Sequence, residues 1–357
     1  MADLTPAPGK RSGLTCWLLD TRVLWPGKSI AASAEAQEAL NLISQEEKDL
    51  ILRKYHVADA KMSLASALLK RLFVHHALGI PWKDIAFGRK RDPKHGKPVA
   101  LLPLPQRGPA PVEFNISHQA GLVALVGCRT DELDAELGVD IVCVNERNQG
   151  AMIDAEGFEA WVDMYAGIFS SEEAFDIKYN APTFALLDGT PVPPATLGRH
   201  DRCCTRGLPL SLTLPDGSKR SFSSDLLLDA KLRRFFTFWC YKEAYIKMDG
   251  EALLADWIPL LEFKGVRAPA PGTPARCSTH GVWGERVSDA EVWFKRQRMP
   301  ECRMEIQSFE ENYMIGVAAK EKALLKKGLP EVLVAFESLH LEADVLSVAR
   351  GSRETQA

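Results

Sequence analysis

The chain lacks most of the short signatures that give a function away. Its eight cysteines (16, 128, 143, 203, 204, 240, 277 and 302) form no CxxC and no zinc-type spacing, which argues against a structural zinc site. Cys128, Cys143 and Cys240 sit in apolar stretches, as free thiols do, so a reducing compartment is expected. There is no GxxxxGK and no GxGxxG, so neither a P-loop nor a Rossmann dinucleotide site is indicated. No apolar run approaches the roughly 18 residues of a membrane span, and the opening MADLTPAPGKRSG has no hydrophobic signal core. An excess of one charge is missing too: the formal net charge of −3 gives no global pull toward nucleic acid or membrane. What is left is an ordinary globular composition, 46% hydrophobic and 25% charged over 357 residues. That length fits one large domain or two modest ones. The expectation is a soluble cytoplasmic protein without nucleic-acid or membrane partners.

The stretch that organises the rest is FFTFWCYKEAYIKMDG, from Phe235 to Gly250. Apolar residues at helical spacing run back through Leu226, Leu227, Leu228 and Leu232, and Asp249-Gly250 supplies a stop. This predicts a helix of about 25 residues, long for a globular domain. Trp239, Glu243 and Lys247 stand at i, i+4 and i+8, and so project from nearly one face. Two explanations fit: a surface ion pair worth a few tenths of a kcal/mol, or a metal-binding carboxylate beside a phosphate-binding lysine.

Upstream, residues 1–13 read as a flexible arm and Leu14–Val23 as a first strand. Ser44 and Glu47 form a capping-box signal for a short helix reaching about Tyr55. A second helix is predicted over Asp59–Leu78, ended by Gly79 and Pro81. Between these helices lie Arg53, Lys54 and His56, and Lys61 begins the second; such residues form either a solvated face or an anion contact. From Ile85 to Ala100 the chain carries its densest cationic stretch, Arg89, Lys90, Arg91, Lys94, His95 and Lys97, broken by Pro93, Gly96 and Pro98. It suits either a pyrophosphate-binding loop or a hairpin kept soluble by its charges.

Val112–Cys128 reads as two strands joined at Gln119-Ala120-Gly121, with Asn115, Ser117 and His118 toward the end of the first. In Gly138-Val139-Asp140-Ile141-Val142 a single carboxylate interrupts an apolar strand, which is costly unless it is paired or metal-bound. Asp140 is the strongest anomaly in the sequence. Ala155–Ala174 reads as helical, with Ser170 and Glu173 near its end. Residues 180–224 lack periodicity and read as a long loop insertion. Strands follow at 260–266, 292–297, 304–309 and 313–319, then a helix near Val332–Leu341 and a loose tail. Each half thus offers a long helix and an apolar hairpin, a faint repeat that would leave a ligand cleft between two halves. On residues alone, Asp140 and Glu243 form an oxygen-ligand pair for Mg²⁺. Lys247, Lys97, Ser117 and His118 would hold phosphates in a phosphoryl-type transfer.

Five motifs then occur in one order: GKP at Gly96–Pro98, NISH at Asn115–His118, GVDI at Gly138–Ile141, FSSEE at Phe169–Glu173 and WCYKEAYIK at Trp239–Lys247. Together they resemble the 4′-phosphopantetheinyl transferases of the surfactin-synthetase type, and the long insertion resembles that of the fungal members. The resemblance spans about Leu14 to Ala319. It implies an α+β pseudo-dimer of two similar halves, 14–134 and 135–320, with the active site in the cleft between them and a C-terminal extension at 321–357. It also implies transfer of phosphopantetheine from coenzyme A to a serine of acyl or peptidyl carrier domains, releasing adenosine 3′,5′-bisphosphate. The carriers would belong to fatty acid synthase, polyketide synthases, peptide synthetases or the lysine-pathway reductase, and the enzyme would be a monomer. By motif, Asp140 and Glu243 would bind Mg²⁺, with Mn²⁺ as the alternative, and Glu243 would serve as base. Lys247 would meet the pyrophosphate. Lys97, Pro98, Ser117 and His118 would contact coenzyme A, and Lys61, Arg89 and Arg91 its 3′-phosphate. One departure is Val142, where many bacterial members carry a further acid; water is expected to take its place. The rival reading is a non-catalytic module that binds coenzyme A or carrier domains.

Overall fold

The computed structural model describes residues 13–90, 96–106, 108–146, 149–250, 255–272, 281–322 and 328–354. Strand β1 (Thr15–Asp20) comes first. The Ser33 hydroxyl caps α1 (Ala34–Leu40), and a complete capping box of Ser44 and Glu47 opens α2 (Gln45–Leu52), satisfying N–H groups that a helix start leaves loose. Helix α3 (Val57–Leu78) ends on Gly79, whose φ of 67° takes the left-handed turn that a side chain resists. The hairpin of β2 (Ala86–Arg89) and β3 (Pro98–Leu101) precedes that of β4 (Val112–Gln119) and β5 (Leu122–Arg129). Ala120 and Gly121 turn the latter at φ 47° and 88°, the backbone sense that matches strand twist in a two-residue turn. Strand β6 (Ala135–Cys143) leads into α4 (Gln149–Glu156), α5 (Phe158–Asp163) and α6 (Ser171–Tyr179). Next come β7 (Phe184–Ala185), β8 (Pro191–Val192), α7 (Pro194–Leu197), β9 (Pro209–Thr213), β10 (Lys219–Ser223) and the long α8 (Ser224–Asp249). The order closes with β11 (Leu261–Lys264), β12 (Trp283–Val287), β13 (Glu291–Phe294), β14 (Gln297–Arg298), β15 (Cys302–Phe309), β16 (Tyr313–Glu321), β17 (Glu337–Leu339) and α9 (Ser347–Glu354).

Two compact units divide this mixed α+β chain. The first holds Met1–Ile141, Glu243–Ala252 and Ile315–Ala357, the second Val142–Lys242 and Leu253–Met314. In the first, a sheet ordered β17-β1-β5-β4 is covered by α3, whose Leu64, Leu68, Leu69 and Phe73 share one core with Leu19, Phe114 and Leu125. Trp17 of β1 pairs antiparallel with Leu125 and parallel with Glu337. Strands β6 and β16 are neighbours in another sheet.

In the second unit, Phe235 of α8 gathers Trp161, Tyr165 and Phe169, with ring centroids at 4.3, 5.0 and 5.2 Å. Trp239 joins the same cluster through Tyr165 at 5.6 Å. Ser170 and Glu173 complete a capping box at α6. The Glu173 carboxylate also accepts from Phe263 N at 2.8 Å and pairs with fully buried Lys242 at 2.7 Å. Glu173, the last acid of the FSSEE motif, therefore locks α6 and β11 onto α8.

Three segments differ from the sequence expectation. Ala155–Ala174, read as one helix, is broken: Gly157, at φ 87°, parts α4 from α5, and turns part α5 from α6, which Ser170 caps afresh. Residues 180–224 carry two small hairpins and a helical turn, with their own core of Leu186, Val192, Leu197, Leu210, Leu212 and Phe222 against Leu227. Its apolar residues lie on strands of two to five residues, too short to show a period. The helix expected near Val332–Leu341 is replaced by β17, because the free edge of β1 captures the chain as a strand. A π-helical turn (Leu341–Leu346) and α9 then follow where a loose tail was expected, and Val345, Leu346 and Ala349 enter the first core. Among the described residues no helix is long and apolar enough to cross a membrane.

Phe222→Ala is expected to lower unfolding stability by about 3 kcal/mol, the usual cost of emptying a buried aromatic site, read by urea denaturation. Deleting 184–223 strips the cover from Leu227 and is expected to give insoluble protein; a soluble deletion with an unchanged melting temperature would contradict the packing described.

Candidate functional site

Alternate residues of a strand share a face, and on one face of β4 these are Glu113, Asn115 and Ser117. All three are buried, at 6%, 4% and 5% exposure, so each must find a polar partner. Each finds it on β6 or α8, or on the hairpin between β2 and β3. The intervening Phe114 and Ile116 belong to the first core. One strand therefore serves the core with one face and the site with the other.

Ser117 donates its hydroxyl to Asp140 Oδ1 at 3.0 Å. The Lys247 ammonium stands 2.5 Å from the same carboxylate oxygen and 2.9 Å from Ser117 Oγ. Asp140 is 5% exposed, and this paired cation is what makes its burial tolerable. Asn115 forms a bridge, accepting from Val139 N at 3.0 Å and donating to the Lys247 carbonyl at 3.4 Å. It thereby ties β6 to α8 within one residue of Asp140. Gly138 allows the approach. A Cβ there would lie 2.0 Å from the Ala244 carbonyl oxygen and 2.5 Å from Met248 N, contacts that backbone atoms cannot relieve. Glu243, half-buried, lies one helical turn before Lys247 on α8.

Of the residues singled out in the sequence, Ser117, Asp140 and Lys247 thus meet directly. His118 follows on β4 with its ring open to solvent, yet its pKa falls below the ordinary 6.5: crowding that desolvates the ring acts first, then the positive charges of Lys247 and Lys54. The two cations are the cause that survives an exposed ring. Lys97 takes a different course. Its buried ammonium is bound to Glu113 Oε1 and to the Leu137 carbonyl at 2.5 Å. Lys90, 48% exposed, holds the other Glu113 oxygen at 2.7 Å. Burial works to raise the Glu113 pKa, but the two lysines overcome it and hold this carboxyl below the usual range. Pro98 starts β3 opposite Arg89, which is exposed and donates to the Gly96 carbonyl at 2.8 Å. Lys61 is half-buried on the second turn of α3. Arg91, Lys94 and His95 lie outside the described residues.

Two features escaped the sequence reading. Glu113 is a lone acid in an apolar strand, the same signal that marks Asp140. A cavity of about 450 Å³ lies between α2 and α3, lined by Glu47, Leu50, Ile51, Arg53, Lys54, Ser63, Ala67 and Lys70. Glu47 there is held by Arg71 at 2.5 Å and by Lys70 at 3.7 Å, leaving a cationic rim of Arg53 and Lys54. Only the folding of α2 against α3 makes a cavity from residues so far apart in sequence.

Asp140 is a hard oxygen donor of the kind a divalent cation takes, and Glu243 is a second carboxylate one helical turn from the lysine that pairs with it. Among the described residues no three His, Cys, Asp or Glu side chains come together as a metal-binding group. Val142, which shares the face of Asp140 on β6, is buried and apolar.

A family profile described as "4′-phosphopantetheinyl transferase, N-terminal" matches residues 30–130. The chain is 52% identical over 341 residues to a 4′-phosphopantetheinyl transferase of Aureobasidium melanogenum, covering 94% of this chain and 98% of that protein. It is 33% identical to the 4′-phosphopantetheinyl transferase NpgA of Emericella nidulans, covering 86% and 82% of the two chains. A shorter match, 32% identical and covering 35% of this chain and 46% of its relative, reaches the L-aminoadipate-semialdehyde dehydrogenase-phosphopantetheinyl transferase of Schizosaccharomyces pombe.

Asn115→Ala is expected to cost about 1–3 kcal/mol, since it leaves Val139 N buried without a partner; urea denaturation measures this. The folded pKa of His118 lies below its unfolded value, so its contribution to stability is present above the unfolded value and is lost as pH falls through the folded one. In an NMR titration His118 is expected to have its midpoint below 6.5, and Lys247→Met is expected to raise that midpoint.

Proposed function

Because the chain belongs to the 4′-phosphopantetheinyl transferase family, which attaches phosphopantetheine to carrier proteins, we propose that it takes this group from coenzyme A with Mg²⁺ held by Asp140 and Glu243. The observation that carries the reading is the meeting of Ser117, Asp140 and Lys247, three residues from three separate family motifs, at one buried carboxylate oxygen. Bound there, Mg²⁺ would neutralise charge on the pyrophosphate and polarise the phosphorus under attack.

The remaining work falls to the chain itself. Lys247 turns its ammonium from Asp140 toward the pyrophosphate. Ser117 keeps its hydrogen bond to Asp140 and so fixes the carboxylate plane. Glu243, directly or through an oriented water, takes the proton of the incoming serine hydroxyl. His118, held largely neutral above its lowered pKa, offers a ring N–H to a phosphate oxygen rather than a full charge. Lys97 contributes to the coenzyme A site by fixing the β2–β3 hairpin on Glu113, while exposed Lys90 and Arg89 meet phosphate. The cavity between α2 and α3 supports a seat for the nucleotide end: Arg53 and Lys54 for phosphate, Leu50 and Ile51 for the base. The product is adenosine 3′,5′-bisphosphate. The same proposal includes the surfactin-synthetase type with its two α+β halves, and a cytoplasmic monomer. It also includes carriers drawn from fatty acid, polyketide, peptide and lysine pathways, the last suggested by the name of the fission-yeast relative.

Intact-mass spectrometry of an apo carrier protein with coenzyme A and Mg²⁺ tests the reaction. A gain of about 340 Da, one phosphopantetheine arm added covalently, is expected only when EDTA is absent. No gain across several carrier types, with coenzyme A still bound, would favour a binding module. Asp140→Asn and Glu243→Gln are each expected to slow transfer on the order of 100-fold or more, the scale of losing a main electrostatic stabiliser. Lys54→Ala is expected to raise KM for coenzyme A several-fold with kcat retained; an unchanged KM would move the nucleotide away from the cavity between α2 and α3.

A further inference from the structure

Among the described residues Cys16, Cys128, Cys143, Cys240 and Cys302 are buried, whereas the adjacent pair Cys203 and Cys204 is only half-buried. The pair follows a 3-10 turn (Gly198–Arg202) in the second unit. Cys203 Sγ lies 3.4 Å from the Thr205 carbonyl, and Cys204 Sγ lies 3.8 Å from Glu159 Oε2. Both carbonyls of the pair are engaged. Phe158 N, the first N–H of α5, donates to the Cys204 carbonyl at 2.8 Å. Lys231, a lysine of α8 with no exposed surface, donates to the Asp201 carbonyl and, at 3.1 Å, to the Cys203 carbonyl. No carboxylate stands within ion-pair distance of it among the described residues, and Asp201 Oδ1 in the same loop is buried without a hydrogen-bond partner. A buried ammonium therefore depends on carbonyls that flank two reachable thiols.

We propose that Cys203 and Cys204 are a site of reversible two-electron oxidation, in which hydrogen peroxide or another hydroperoxide closes them to a vicinal disulfide. The Cys203 thiolate attacks a peroxide oxygen, the O–O bond breaks, and the departing hydroxide takes a proton to leave as water. Cys204 sulfur then attacks the sulfenic sulfur of Cys203: the S–S bond forms, the S–O bond breaks, and hydroxide leaves with the Cys204 proton as a second water. Two thiols and one peroxide give one disulfide and two waters. Cys203 is the entry point because burial raises the Cys204 pKa, with Lys231 opposing it only in part; the thiolate is the attacking species. The product is easily reduced. Adjacent Cα atoms are about 3.8 Å apart across a trans peptide, short of the span that disulfides prefer, and strain of this kind makes the bond labile.

Closing the ring turns the Cys203–Cys204 peptide and moves the Cys203 carbonyl that holds Lys231 and the Cys204 carbonyl that holds the start of α5. Lys231 keeps the Asp201 carbonyl but loses one of its two acceptors, which costs stability for a buried ammonium. The proposal is independent of the transferase reading.

The full chain, reduced and then treated with hydrogen peroxide, is alkylated, digested and mapped by mass. A loss of about 2 Da, the two hydrogens of a disulfide, is expected on the peptide holding both cysteines. It should be restored by dithiothreitol and accompanied by a melting temperature lowered by several degrees. Cys203→Ser and Cys204→Ser should each abolish the loss. Full alkylation of both thiols after peroxide, or a sulfinic product at either, overturns the site. A mass loss that persists in the variants moves the disulfide elsewhere, and a formed disulfide with an unchanged melting temperature overturns the coupling to Lys231. Should the serine variants fail to fold, the wild-type map decides alone.

Discussion

The contact of β6 with α8 is the constraint on which the site depends. Here a strand backbone meets a helix backbone with nothing between them but the hydrogens of Gly138. Asn115 then satisfies one N–H from the strand and one carbonyl from the helix. The distance is set by backbone atoms rather than by flexible side chains, so the positions of Asp140 and Lys247 inherit backbone precision. This is the form of support that a site needs when its geometry must be held to a fraction of an ångström.

Each unit also holds a buried ion pair of its own. Lys97 with Glu113 fixes the β2–β3 hairpin to β4, and Lys242 with Glu173 fixes α6 and β11 to α8. Replacing a buried pair with apolar residues often leaves a protein as stable or more so, so stability alone does not explain either. What a pair supplies, and an apolar contact does not, is a single allowed partner. Both pairs also use motif residues, which is why motif matching alone reads Lys97 as a ligand contact when its ammonium faces inward.

Much of the fold could be read in advance because the signals were local. Ser44 with Glu47, Gly79, the Ala120-Gly121 turn and the long apolar period of α8 each carry their own physical instruction, and each is found within a few residues of its expected place. The anomaly of one acid in an apolar strand located Asp140 but was not applied to Glu113. What escaped was decided by long-range partners. Strand β17 exists because β1 offers an edge, the cavity near Lys54 exists because α2 folds against α3, and the small core of 184–223 needs Leu227 of α8. Nothing in the neighbourhood of those residues distinguishes them from loops.

The parallel pairing of β17 with β1, and the burial of Val345, Leu346 and Ala349 among residues of α3, has a consequence for how the chain comes into being. Contacts across such a separation in sequence fold slowly, because a large loop must close before they are rewarded. On the ribosome, the early strands wait with one sheet edge uncovered until nearly all of the chain has emerged. The second unit, encoded in between, has time to condense before the first is completed. An exposed edge is also a template for wrong pairing. The period most open to misassembly therefore falls during synthesis, and its length is set by the translation of residues that belong to the other unit.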